Sequence, residues 1–174
     1  MAEREILHLG NPILWEKSAA VEDVSSLETV ELIRDLDDTL AAFRRENGFG
    51  RGIAAPQIGV LRRVIFIRMG DGGFAGPLIN PRIIWTDKAM MELWDACFSL
   101  PNLMVKVERA VKVKVEYIDR KGLPQVLEAE GDFSELLQHE IDHLDGILAV
   151  QRALTMKSFS TREQWKRFYA DEAV

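Results

Sequence analysis

VKVKVEYIDRKGLPQVLEAEGDFSELLQHEIDHLDG, residues 111–146, sets two different periodicities side by side. At its start the alternation is strict: Val111, Val113, Val115 and Tyr117 face one way, while Lys112, Lys114 and Glu116 face the other. A period of two with one polar face specifies a half-exposed antiparallel strand. Residues 119–122 supply a turn and residues 125–129 the returning strand. Asp132 and Glu135 then have the D-x-x-E form of a helix start, ahead of Leu136 and Leu137. That helix is expected to run through His143 and stop near Gly146. A strand pair leading directly into a helix points to an α+β chain.

Working outward gives the same class. Upstream, residues 27–46 carry Val30, Ile33, Leu36, Leu40 and Phe43 at steps of three and four, an amphipathic helix with Gly48 as its stop. A Gly-rich turn covers 48–59, and the Val-Ile-Phe-Ile centre of 63–68 reads as a buried strand. Gly70, Gly72, Gly73, Gly76 and Pro77 mark a loop, and residues 78–85 a further strand. Downstream, a polar helix is expected from Ser160, burying Trp165 and Phe168. No repeat, low-complexity tract or linker interrupts the sequence. The expectation is one domain over residues 1–174: antiparallel sheets packed around the helix that begins at Asp132, with an N-terminal and a C-terminal helix.

Bulk properties exclude several classes. With 174 residues, 47% apolar and 29% charged, the composition is that of a globular chain with one buried core. No apolar run approaches the roughly 18 residues that span a bilayer. The opening MAEREILHLG has no apolar signal region, so the cytoplasm is the default expectation. The net charge is −6, without a run of Lys and Arg, which argues against nucleic acid as the main partner. The single cysteine, Cys97, excludes a disulfide within the chain and is either buried packing or chemistry.

His139-Glu140-Ile141-Asp142-His143 is the strongest local signal. On a helix, residues i and i+4 share a face with Cβ atoms about 5–6 Å apart, so two imidazoles can meet one metal ion. Glu140 can then serve water at that metal without being a ligand. The competing reading is a solvated helical face bearing two unrelated histidines. Cys97, in the stretch Asp95-Ala96-Cys97-Phe98-Ser99-Leu100-Pro101, sits where a strand is ending and is the candidate third ligand. A Cys-His-His set leaves the fourth position for catalysis, and its thiolate favours Fe(II) or Zn(II) over Mg or Ca. Gly50-Arg51-Gly52-Ile53-Ala54-Ala55-Pro56-Gln57 is the third segment. Its partial match to a dinucleotide fingerprint fails, because a helix precedes it and Pro56 cuts into any helix after it. Alone it reads as a tight loop.

Together the three segments resemble the peptide deformylase family, whose members carry G-x-G-x-A-A-x-Q, E-G-C-x-S and H-E-x-x-H in this order. Gly50, Gly52, Ala54, Ala55 and Gln57 meet the first, Cys97 and Ser99 the second, and His139, Glu140 and His143 the third. The likeness extends from residue 6 to about residue 148. It implies a metal-dependent hydrolase that removes the formyl group from the N-terminal methionine of new proteins, releasing formate. It implies Fe(II), with Zn, Ni or Co as replacements, held by Cys97, His139 and His143. It assigns proton transfer to Glu140 and oxyanion donation to the Gln57 side chain and the Phe98 backbone N–H. Gly52, Ile53 and Leu136 are expected around the methionine side chain, with peptide backbone along the Gly50–Gly52 edge. Nascent formyl-Met N-termini are the implied partners, with transient ribosome association a further expectation. The charges of residues 157–174, among them Lys157, Arg162, Asp171 and Glu172, are too balanced to claim RNA.

Two departures stand out. Asp95 and Ala96 replace the family's Glu and Gly before the cysteine. Arg109 is the expected partner of the acid, and the shorter Asp95 must close up on it or reach it through water. Met104 stands near an arginine of many relatives that helps hold the peptide. These departures motivate an alternative, a deformylase-fold protein that binds N-terminal peptides with little or no activity. A zinc endopeptidase fits H-E-x-x-H alone but not Cys97 and the Gln57 segment. A structural metal site would need a fourth protein ligand. His8 has no role in the scheme and reads as a surface or partly packed residue.

Overall fold

The computed structural model describes residues 3–70 and 72–170. Helix α1 spans Leu27–Asn47, followed by strands β1 (Gly52–Ala54), β2 (Val64–Arg68) and β3 (Ala75–Thr86). Strands β4 (Met90–Ala96), β5 (Leu103–Ala110), β6 (Lys112–Ile118) and β7 (Pro124–Glu130) come next. Helix α2 (Asp132–Leu144), strand β8 (Phe159–Thr161) and helix α3 (Arg162–Phe168) complete the order. The strands form a five-stranded sheet, β1-β2-β3-β6-β7, and a three-stranded sheet, β4-β5-β8. All the strand pairings within them are antiparallel.

The apolar centre of β2 explains the layering. Ile65 and Ile67 pack with Leu78, Val113 and Val115 against Leu137, Ile141 and Leu144 of α2. Val64 and Phe66 point the other way, onto Leu32, Ile33, Leu36 and Leu40 of α1. A strand buried on both faces reads as a continuous apolar run, as this one does. The alternation in β6 behaves as the sequence predicts: Val113 and Val115 are buried, while Lys112 and Lys114 pair across the strand with Glu130 and Glu128.

Several boundaries differ from expectation. β3 begins at Ala75, so Gly76 and Pro77 are strand rather than loop; pairing with Ile67 and Phe66 draws them in. α2 is capped by Gly131, not Asp132, and Glu135 turns to Arg51 instead of back to the helix start. The end of α2 does agree, since the helix runs through His143 to Leu144 and stops just short of Gly146. α1 stops as expected, with Gly48 at φ 75. α3 starts at Arg162, after the cap Thr161, and buries no residue: Trp165 is partly covered and Phe168 is 60% exposed. Seven residues are too few to present a full apolar face; instead Tyr169, just beyond, lies 4.9 Å from Trp94 between ring centroids. β4 and β5 were not anticipated as a pair, although Cys97 does follow the end of a strand. Asp171 and Glu172 lie outside the described residues.

Candidate active site

Two elements deliver the metal-ligand candidates. α2 puts His139 and His143 on one face, with their Nε2 atoms 3.2 Å apart. β4 ends at Ala96, and Cys97 opens the following turn, with its Sγ 3.2 Å from His143 Nε2. All three residues are buried. Asp95, two residues earlier on β4, points inward like Cys97 and takes His139 Nδ1 at 2.8 Å. That contact fixes the ring so that Nε2 faces the cysteine.

A buried charge chain holds this arrangement. Arg109 on β5 donates to Asp95 Oδ2 at 3.2 Å and to Asp142 of α2, so the shorter acid closes on its arginine directly. Arg152 donates to the other Asp142 oxygen at 2.7 Å. Burial alone would raise the pKa of Asp95, but His139 and Arg109 hold it below the ordinary carboxylate value. Burial likewise works against the charge on Arg109, and Asp142 and Asp95 outweigh it.

The catalytic candidates gather above the cluster. Gln57 lies in a short 3₁₀ turn, Ala55–Ile58. Its Oε1 accepts from the Ala54 N–H at 2.9 Å, which aims its Nε2 at Ser99 Oγ (3.2 Å) and Cys97 Sγ (3.6 Å). Glu140 is 3% exposed, and its Oε2 has no hydrogen-bond partner among the described residues. Burial pushes its pKa up to about 7; His139 opposes this, and Glu135 and Asp95 add to it. A carboxylate poised there suits proton transfer near neutrality. Gly52 is what lets it in, since a Cβ on that residue would sit 2.6 Å from Glu140 Oε1.

These groups open on a cavity of about 670 Å³. Gln57, Cys97, Phe98, His139 and Glu140 line it, with Gly50, Gly52 and Leu136 of the expected substrate contacts. Ile53 does not; from the middle of β1 its side chain is fully buried with Leu36 and Leu40. Met104 is buried opposite Ala96 rather than facing the cavity, and His8 is exposed. Asp142, Arg152, Glu135 and Arg51 were not anticipated at the site. Asp142 and Glu135 carry a sequence signal, since i+3 and i−4 from His139 put them on the ligand-bearing side of α2.

The donor set fits a metal ion. Cys97, His139 and His143 present ligand atoms within 4.8 Å of one another, a spacing suited to a small four-coordinate ion with one position left open. Asp95, Glu135 and His139 form a second such group, but both acids are already engaged by arginines. Electrostatics split the two imidazoles of the first group. Burial opposes charging His139, yet Asp95 and Cys97 raise its pKa well above the usual value, while burial and His139 push His143 well down.

Comparison with known proteins decides what the site belongs to. The family model for polypeptide deformylase matches residues 3–159. The chain belongs to the polypeptide deformylase family. It is 42% identical over 153 residues to a peptide deformylase of Desulfitobacterium hafniense, covering 88% of this chain and 96% of that one. A Thermoanaerobacter peptide deformylase is 34% identical over 168 residues, covering 97% and 96%. In structure, the peptide deformylase of Legionella pneumophila superposes with a TM-score of 0.82 at 36% identity, over 95% of this chain and 92% of that chain. Like other deformylases, the chain is a metal-dependent hydrolase that removes the N-formyl group from N-terminal methionine. No helix in the described residues is long and apolar enough to cross a membrane.

Proposed function

We propose that Cys97, His139 and His143 hold the deformylase metal, Fe(II) with Zn, Ni or Co as replacements, and that Glu140, Gln57 and the Phe98 N–H carry the hydrolysis. The observation that supports this most is the convergence of the Cys-His-His set, the unpartnered Glu140 carboxylate and the aimed Gln57 amide at one end of a single cavity. When bound, the metal supplies Lewis-acid chemistry and makes water acidic enough to react at neutral pH.

The protein's own groups do the rest. Glu140 takes a proton from the attacking water as oxygen bonds to the formyl carbon. Gln57 Nε2–H and the Phe98 N–H donate to the oxygen that gains charge. As the C–N bond breaks, Glu140 returns the proton to the departing nitrogen, leaving formate and a free amine. The peptide runs along the Gly50–Gly52 edge as an added strand. Asp95 and Arg109 support the ligands. The whole of residues 1–174 acts as one deformylase-like domain in the cytoplasm, on nascent formyl-Met chains and in transient contact with the ribosome, without binding nucleic acid directly. An inert peptide-binding fold would gain nothing from a buried, unpartnered Glu140, so the catalytic reading is favoured over that alternative.

The test is formate release from formyl-Met-Ala-Ser by anaerobically prepared, Fe(II)-loaded protein. Glu140→Ala should lower kcat by roughly 10²–10⁴-fold while metal content is retained. Absence of formate from metal-replete wild type would raise the peptide-binding alternative above the catalytic reading.

A further inference from the structure

The cavity beside the ligand cluster has two unlike walls. Next to the cysteine turn it is aromatic, with Phe98 stacked on Phe43 at 3.8 Å between centroids. Along α2 it is charged. Leu136 lies one helical turn before Glu140, Glu135 one turn before His139, and Asp132 at the helix start; all three line the cavity, as does Arg51. Arg51 Nη2 donates to Glu135 Oε2 at 2.8 Å, and its Nη1 stands 3.6 Å from Asp132 Oδ2. Glu135 is 6% exposed, and its carboxylate lies within 4.8 Å of a ring nitrogen of His139.

The first side chain of a formyl peptide branches from the carbon next to the scissile nitrogen. Its pocket must therefore adjoin Glu140, which returns the proton to that nitrogen. On α2 the neighbouring cavity residues are Leu136 and then Glu135. A side chain of methionine length laid over Leu136 brings its tip to the Arg51–Glu135 pair, where a donor and an acceptor stand side by side.

We propose that this ion pair sets first-residue specificity. The enzyme accepts formyl peptides whose first side chain has methionine length and a hydrogen-bonding tip, glutamine or methionine sulfoxide, as well as methionine. The inference rests on the deformylase reading above. A carboxamide matches the pair at both ends: Arg51 donates to its oxygen, and a carboxylate of Glu135 or Asp132 accepts from its NH₂. A sulfoxide oxygen takes the Arg51 hydrogen bond alone. A wholly apolar pocket would leave those groups unpaired and reject them by a factor of roughly 10–100.

The experiment measures kcat/KM of metal-replete enzyme on formyl-X-Ala-Ser peptides, with X methionine, norleucine, glutamine or methionine sulfoxide. Glutamine and the sulfoxide should fall within about tenfold of methionine. In Arg51→Val/Glu135→Leu, which removes both charges together, glutamine should lose about tenfold or more relative to norleucine. Arg51→Lys, which keeps the charge but not the planar fork, should show a smaller loss. Calorimetric binding of the products Gln-Ala-Ser and Met-Ala-Ser should shift in the same direction. Rejection of glutamine and sulfoxide by wild type, with methionine still turned over, would overturn this inference alone. So would an unchanged glutamine-to-norleucine ratio in both variants. Turnover of no formyl peptide at all would overturn the deformylase reading as well.

Discussion

At Gly52 a single missing methyl group admits the catalytic carboxylate. A Cβ there would stand 2.6 Å from Glu140 Oε1 and 3.0 Å from its Cγ and Cδ, so the carboxylate would have to swing away into the cavity it lines. Gly52→Ala should therefore displace Glu140 and lower kcat by roughly 10²-fold or more, since proton transfer depends on hydrogen-bond reach. The metal ligands are untouched, so metal content measured by atomic absorption should stay at the wild-type level; loss of metal together with activity would contradict this account. Asp95→Ala makes the complementary case. It removes the acceptor for His139 Nδ1 and should weaken metal affinity by about 10–100-fold, read by competition with a chelator. At this scale the sequence was most legible where spacing carries geometry, as in the i, i+4 histidines. D-x-x-E reads as a capping box at Glu135 because it gives no sign that Arg51, 84 residues away in sequence, competes for the same carboxylate.

Helix α2 is the element on which the site depends, because both of its faces are committed. One carries Leu137, Ile141 and Leu144 into the five-stranded sheet, and the other offers His139, Asp142 and His143 to β4 and β5. Arg109 ties the second face to its sheet, with 4% of its side chain exposed between Asp95 and Asp142 at 1% and 11%. Arg109→Met would leave two buried acids short of their counter-charge and should cost about 3–5 kcal/mol. In a chain of this size that lowers Tm by roughly 6–20 °C. Arg152, whose side chain is 45% exposed, reaches the same Asp142, and Arg152→Ala should cost less than about 1 kcal/mol. Equal effects of the two substitutions in thermal denaturation would show that burial is not what matters. Strands β2 and β6 were legible because one is buried on both faces and the other has one clean polar face. β4 and β5 were not, since Asp95 and Arg109 put charges on an inward face that ordinary patterning reserves for apolar residues.

Across the whole molecule, the ligand set draws its side chains from two different layers. Cys97 directly follows β4 of the three-stranded sheet, whereas His139 and His143 ride on α2, packed against the five-stranded sheet. A metal bound to all three stabilises only the state in which these two layers are docked, so binding is linked to folding. Removing it with a chelator under anaerobic conditions should lower Tm. At a free metal concentration 1,000 times Kd the linkage is worth about 4 kcal/mol, or roughly 8–16 °C for a chain of this size. Metal titrated back should restore Tm progressively, because the stabilisation grows with the logarithm of free metal. Cys97→Ser serves as the control for the link between layers: replacing the soft thiolate should shrink the metal-dependent rise even though α2 keeps both histidines. A full metal-dependent rise in Cys97→Ser would mean that α2 binds the ion by itself. The docking of the two layers would then rest on protein contacts such as Arg109 with its acids and Gln138 with Ala110.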